Sequence, residues 1–226
     1  MKKKIAYFIS GEGRLAFSCI NFVKEYMNDK AENSLIVYSD NCNAVKNISH
    51  LNIKSHIVND NWKKNRENIC NEISELCLLN NIDFIVMTFC KLLSGKIINI
   101  YNNKIINLHP SMLPSFKGMK PVEQALDYNS RFIGATTHFI DENMDEGILL
   151  CQGIIPVEQN ADINIIKNKQ FLMLKKLYLN TLWFYITDSI QIINCKSYIK
   201  NSHSNSLEIN PKAKTDLIDK FVEDNV

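Results

Sequence analysis

Short apolar runs alternate along this chain with longer segments of helical spacing, and that alternation leaves few architectures open. Residues 4–10, 34–38, 53–58, 83–87 and 104–108 are dense in β-branched and apolar side chains, the signature of buried strands. Residues 14–27 carry Leu15, Phe17, Ile20, Phe22, Val23 and Tyr26 at helical intervals, and residues 61–79 repeat the pattern with Ile69, Ile73, Leu76 and Cys77. Strands that take turns with helices predict an α/β fold, a doubly wound and mostly parallel sheet covered on both faces. The pattern changes after His109. Pro110, Pro114, Gly118 and Pro121 punctuate a loop, a helix is expected over 122–128, and two alternating stretches, 132–140 and 148–157, flank the acidic loop 141–147. That reads as a C-terminal β-hairpin. Residues 162–193 read as one helix. The chain turns polar from Lys196, so 1–195 form one domain and 196–226 a tail, docked or partly disordered.

Composition removes several classes. The net charge of +2 is too small to call for a nucleic-acid or membrane partner. The basic start Lys2-Lys3-Lys4 is followed by an apolar stretch far too short for an export signal or a membrane span. Seven cysteines without a Cys-x-x-Cys pair fit neither a disulfide framework nor a zinc ribbon, and reduced thiols in a cytoplasmic protein are the simpler reading. Asp141, Asn143 and Asp145 imitate the start of a calcium loop, but Glu146 stands where that loop needs Gly, so no metal is expected.

Two segments carry chemistry. In Ile105-Ile106-Asn107-Leu108-His109-Pro110-Ser111-Met112-Leu113-Pro114, strand alternation puts Asn107 and His109 on one face. They lie at the C-terminal end of a parallel strand, where α/β sheets place their ligands. An amide and an imidazole side by side can both donate to a carbonyl oxygen, which is what stabilises the oxyanion of acyl transfer. The second segment, Gly134-Ala135-Thr136-Thr137-His138-Phe139-Ile140-Asp141-Glu142-Asn143-Met144-Asp145-Glu146-Gly147, brings another imidazole and carboxylates on a tight loop. A carboxylate near His109 is placed to relay a proton from an attacking amine.

Asn107-x-His109-Pro110-Ser111-x-Leu113-Pro114, then Gly118, then Thr137-His138-Phe139-Ile140-Asp141-Glu142-x-x-Asp145-x-Gly147, with Gln152 and Pro156-Val157 beyond, resembles the folate-dependent formyltransferase family. The resemblance is strong over residues 83–157 and implies the Rossmann-like fold of that family, with 1–195 as its catalytic domain. It implies 10-formyltetrahydrofolate as formyl donor and a primary amine of a small molecule as acceptor. Asn107 and His109 would stabilise the oxyanion, Asp145 would orient or deprotonate, and His138 would order the loop behind them. The folate would lie on an apolar wall formed by Phe89, Cys90, Lys91, Leu92 and Leu93, with Ile140, Asp141 and Glu142 opposite. The resemblance also implies a cis bond between Leu113 and Pro114.

For the acceptor, Gly11-x-Gly13 after a strand and before a helix suits a phosphate held at a helix N-terminus, with Arg14, Ser111, Gly118 and Lys120 as further contacts. The glycinamide ribonucleotide branch of the family usually reads Ser-Asn after this second glycine, where the chain has Arg14-Leu15. It also carries a Glu-His helix motif with no match around residues 168–174. Elimination therefore favours an amino-sugar nucleotide, with glycinamide ribonucleotide as the alternative. A different class is also open: Gly11-x-Gly13-x-x-Ala16 with Asp40 after the next strand is a loose dinucleotide fingerprint, which would make the chain an NAD(P)- or nucleotide-binding protein. Oligomeric state is left open, with a homodimer among the options.

Overall fold

The structure is a computed structural model and describes residues 1–39, 42–58, 62–89, 91–158, 162–204 and 208–225. The chain divides into two compact units, residues 1–107 with 139–143, and residues 108–138 with 144–226.

The first unit holds β1 (Lys3–Ile9), α1 (Arg14–Tyr26), β2 (Ala31–Ser39), α2 (Val45–Ile48), β3 (Ser55–Val58), α3 (Trp62–Leu79), β4 (Phe84–Thr88), α4 (Lys96–Ile100) and the start of β5 (Ile105–His109). Its strands pair in parallel in the order β3-β2-β1-β4-β5. In β1, Ala6 and Phe8 face the helices α3 and α4, in one apolar cluster with Ile69, Cys70, Ile73, Cys77, Ile97 and Ile98. Alternation turns Tyr7 to the other face, where its hydroxyl donates to Asn33 Oδ1 at 2.6 Å. The buried stripe Ala16, Cys19, Ile20, Phe22 and Val23 of α1 recurs at three- and four-residue steps, so α1 has one apolar side to lay against the sheet. The expected doubly wound, parallel arrangement is present.

The second unit holds α5 (Pro121–Asp127), β6 (Phe132–Phe139, its last residue in the first unit), β7 (Leu149–Pro156), α6 (Ile163–Ile186), β8 (Ile190–Ile193), β9 (Lys196–Ile199), β10 (Ser202–His203), β11 (Ile209–Asn210), β12 (Lys212–Ala213) and α7 (Leu217–Asp224). β6 and β7 form the expected antiparallel hairpin, with a register shift between Thr137 and His138. Asp162 caps α6 by accepting from the Asn164 N–H at 2.7 Å. Among the described residues no helix is long and apolar enough to cross a membrane.

Two expectations need correction. The helix read over 162–193 stops at Ile186, and residues 190–193 are a strand that pairs with β9. Thr187 Oγ1 donates to Trp183 O at 2.8 Å, Asp188 takes φ 53°, and the chain turns back. The boundary set at 195/196 falls in the two-residue turn Asn194-Cys195 of that hairpin, where both residues have positive φ. The C-terminal segment is docked. β11 adds to β7 with Ile209 opposite Gly153 and Asn210 opposite Gln152. Asn180 of α6 is buried, and it donates to Pro211 O at 2.9 Å and accepts from Ala213 N at 2.7 Å. Lys175 Nζ donates to Asn225 O at 3.0 Å.

Asn180→Leu is therefore expected to destabilise the fold. It keeps the volume but strands a buried N–H and a buried carbonyl, at a cost of about 1–3 kcal/mol. A fall in the urea midpoint without a change of slope would show it. A midpoint equal to wild type would mean that the C-terminal segment is not held there.

Candidate active site

β5 ends the parallel part of the sheet, and Asn107 sits opposite Met87 of β4 in its register. Two residues on, at the end of the same strand, His109 is 5% exposed. Its Nδ1 lies 3.4 Å from Asp145 Oδ2, and the two side chains are 7% and 9% exposed. Its Nε2 lies 3.1 Å from Phe116 O. A carbonyl only accepts, so Nε2 carries a hydrogen and donates it. Asp145 stands in the loop after β6 with φ 57°, and the same Oδ2 accepts from Gly118 N at 3.1 Å. Its other oxygen is 3.9 Å from His138 Nε2, and His138 is 2% exposed. One carboxylate thus stands between two imidazoles thirty-six and seven residues away in the chain, with a backbone N–H fixing its plane. Lys117 Nζ bonds Glu146 Oε1 at 2.8 Å and ties the same two loops at their exposed edge.

The six described cysteines are free, and burial pushes Cys77 and Cys151 up to about 12, far from nucleophilic thiolates at neutral pH. Among the described residues no group of three or more His, Cys, Asp or Glu side chains is arranged to hold a metal ion.

The predicted folate wall is partly core. Phe89 and Leu93 are 5% and 6% exposed, and Phe89 meets Trp62 edge-on at 5.2 Å between centroids. Trp62 Nε1 donates to Leu92 O at 2.9 Å, so this loop is pinned from beneath. Leu92 is exposed and Lys91 half-buried. Cys90 lies outside the described residues. Ile140 packs on the same apolar cluster, and Asp141 Oδ1 accepts from Asn143 N at 2.9 Å, which leaves Glu142 exposed. Both segments belong to the first unit, where Phe89, Leu93 and Ile140 share one apolar cluster.

Of the acceptor candidates, Gly11 and Gly13 take φ 60° and 68°. A Cβ on Gly13 would stand 3.0 Å from Ala44, Ile9 and Phe17, so Gly is needed there for packing as well as for φ. Arg14 opens α1, exposed, and no side chain caps that helix. Glu12 is engaged by Asn43 at 2.7 Å. Asp40 of the rival fingerprint lies outside the described residues. Lys120 is exposed with φ 55°. Ser111 is a correction: it is 3% exposed and its hydroxyl donates to Ser115 O at 2.6 Å, so it orders the loop. Gly118 likewise gives its N–H to Asp145. The bond between Leu113 and Pro114 is cis.

Three residues are given no role by the sequence. Thr136, Gln152 and Gln170 all bond the loop that carries Pro110 to Pro114. The available signal was a polar side chain at an apolar-stripe position, most plainly Gln170 within α6.

The chain is 28% identical to the trifunctional purine biosynthetic protein adenosine-3 of Homo sapiens over 84% of its own length, and it spans about a fifth of that relative (19%). It is 27% identical to a phosphoribosylglycinamide formyltransferase of Bacillus subtilis, over 78% of this chain and 91% of the relative. In fold it is similar to glycinamide ribonucleotide transformylase 1 from Symbiobacterium toebii, with a TM-score of 0.81 at 18% identity, covering 88% of this chain and 94% of that one. Residues 3–182 match the family model described as formyl transferase, and the chain belongs to the formyl transferase family.

Proposed function

We propose that this chain transfers the formyl group of 10-formyltetrahydrofolate to the primary amine of glycinamide ribonucleotide. The observation that carries the reaction is the buried His109–Asp145 pair at the end of β5, two residues beyond Asn107. The donor supplies the formyl group as an activated N10 amide. Residues 91–93 and 140–142 would hold its ring. As the acceptor amine attacks the formyl carbon, negative charge develops on the formyl oxygen, where Asn107 and the His109 ring would donate. The N–H that Phe116 O accepts is the one that an oxyanion would take over. Asp145 would accept the proton that the amine loses as the C–N bond forms, and N10 gains a proton as its bond to the formyl carbon breaks.

The acceptor reading rests on the relatives rather than on a residue of this chain. The relatives named above give no support to the amino-sugar nucleotide favoured by elimination, whereas the Bacillus subtilis protein, which this chain nearly spans, supports glycinamide ribonucleotide. The α1 N-terminus with Gly11 and Gly13 supports a phosphate there, and exposed Arg14 supplies charge in place of the missing Ser-Asn pair. The test offers 10-formyltetrahydrofolate with glycinamide ribonucleotide, with amino-sugar nucleotides and with no acceptor, and follows tetrahydrofolate and formate. Formylated glycinamide ribonucleotide is expected as the main product. Faster turnover of an amino-sugar nucleotide, or formate release at the same rate without acceptor, overturns the acceptor.

A further inference from the structure

Prolines at 110 and 114 deprive the segment after His109 of two backbone donors, so other groups must hold it. Three buried or half-buried side chains do so. Thr136 Oγ1 donates to Ser111 O at 2.8 Å and accepts from Leu113 N at 3.0 Å. Gln152 Nε2 donates to Leu113 O at 2.9 Å and to Thr136 Oγ1 at 3.1 Å. Gln170, 3% exposed on α6, gives one N–H of its amide to Pro110 O at 3.2 Å and the other to Gly134 O at 3.1 Å. Pro110 directly follows His109, so the peptide that Gln170 holds, Pro110–Ser111, is separated from the imidazole's own residue only by the rigid proline ring. Gly134 lies on β6, the strand that leads through His138 toward Asp145. One amide therefore ties the stretch after His109 to the strand that precedes its carboxylate partner.

We infer that Gln170 is a positioning residue for formyl transfer: its amide sets where the His109 ring stands relative to Asp145. This rests on the proposed function. Gln170 touches no reacting atom in this scheme. Its effect comes through the backbone of Pro110 and Gly134, and small displacements of a catalytic group are costly to turnover while leaving substrate binding intact.

The test compares Gln170→Met with Asn180→Leu. Both remove a buried amide from α6, but the hydrogen bonds of Asn180 go to the C-terminal segment and to Cys151 Sγ on β7, not to the catalytic loop. Assayed at a temperature where both are folded, Q170M is expected to lose about tenfold or more in kcat, with KM for donor and acceptor within about twofold. N180L is expected to keep wild-type kcat. The His109 ring resonances, assigned by loss in His109→Asn, should move in Q170M and stay in N180L. If Q170M does not fold, Gln170→Glu replaces it. Its carboxyl regains one donor only when protonated, so its kcat relative to wild type should rise as pH falls. Equal kcat in Q170M and N180L with unmoved His109 resonances overturns the inference, as does a Q170E profile parallel to wild type. The resonance comparison needs no substrate, so it separates failure of this inference from failure of the formyl-transfer reading.

Discussion

Asp145→Asn is expected to lower kcat for formyl transfer by about 10²–10³-fold, with KM for the folate donor little changed. The substitution is nearly isosteric, and the geometry dictates how the new amide must sit. Asp145 Oδ2 accepts from Gly118 N at 3.1 Å, and a donor cannot face a donor, so the amide oxygen of Asn takes that place. The same oxygen then still faces His109 Nδ1 at 3.4 Å. What disappears is the charge and the capacity to take a proton from the attacking amine. Packing, loop position and fold stability should therefore persist while turnover collapses. Asn107→Ala should cost a similar factor for a different reason, loss of one donor to the developing oxyanion. Steady-state kinetics on both variants, with thermal unfolding as a control, test the assignment. Near-normal turnover in either folded variant would falsify the role given to that residue.

The parts of the site that were legible in the sequence are those written in contiguous segments. Asn107 and His109 share a face because a strand alternates, and that needs no tertiary information. Asp145 was legible only through its family resemblance, since nothing in local spacing says that a hairpin loop will fold back to within 3.4 Å of His109. The first unit was readable because buried parallel strands appear as unbroken apolar runs, and its helices carry clear stripes. The end of α6 was not readable. Apolar residues continue to Ile193 without Gly or Pro, and the stop is made by hydroxyl bonds at Thr187 and a positive φ at Asp188. The following turn was hidden as well, because Cys195 occupies a positive-φ place where Gly is the usual signal. Gln170 could not be assigned in advance: its acceptors lie sixty and thirty-six residues upstream, and a polar residue in an apolar helix says only that some partner exists. Ser111 was misread for the converse reason. Its position in the motif is conspicuous, but its hydroxyl is spent on Ser115 O.

Gly134→Ala is expected to produce the largest loss of stability of any single-methyl change considered for this chain. The position is on β6, and its φ is not in the left-handed region, so the reason is space and not backbone freedom. A Cβ there would stand 2.3 Å from Met112 Cγ, 2.7 Å from Met112 Sδ and 2.7 Å from Gly153 O. Met112 is flexible and can turn away. Gly153 O cannot, because it belongs to β7, paired with β6 on one side and with β11 on the other. The strands must shift, and the cost falls at about 2 kcal/mol or more. For a chain of this size, where each kcal/mol moves Tm by about 2–4 °C, Tm should fall by about 4–8 °C. Met112 lies between Pro110 and the Leu113–Pro114 bond, in the loop that Thr136 and Gln152 clamp, so its displacement should also lower kcat at temperatures where the variant is folded. The double variant Met112→Ala/Gly134→Ala separates the two contacts. Removing the Met side chain relieves one of them, so the double variant should lose less stability than the two single losses added together. The backbone contact with Gly153 remains, so Tm should stay below that of Met112→Ala alone. A Gly134→Ala protein that melts with wild type would show that β6 and β7 have more room than these distances allow.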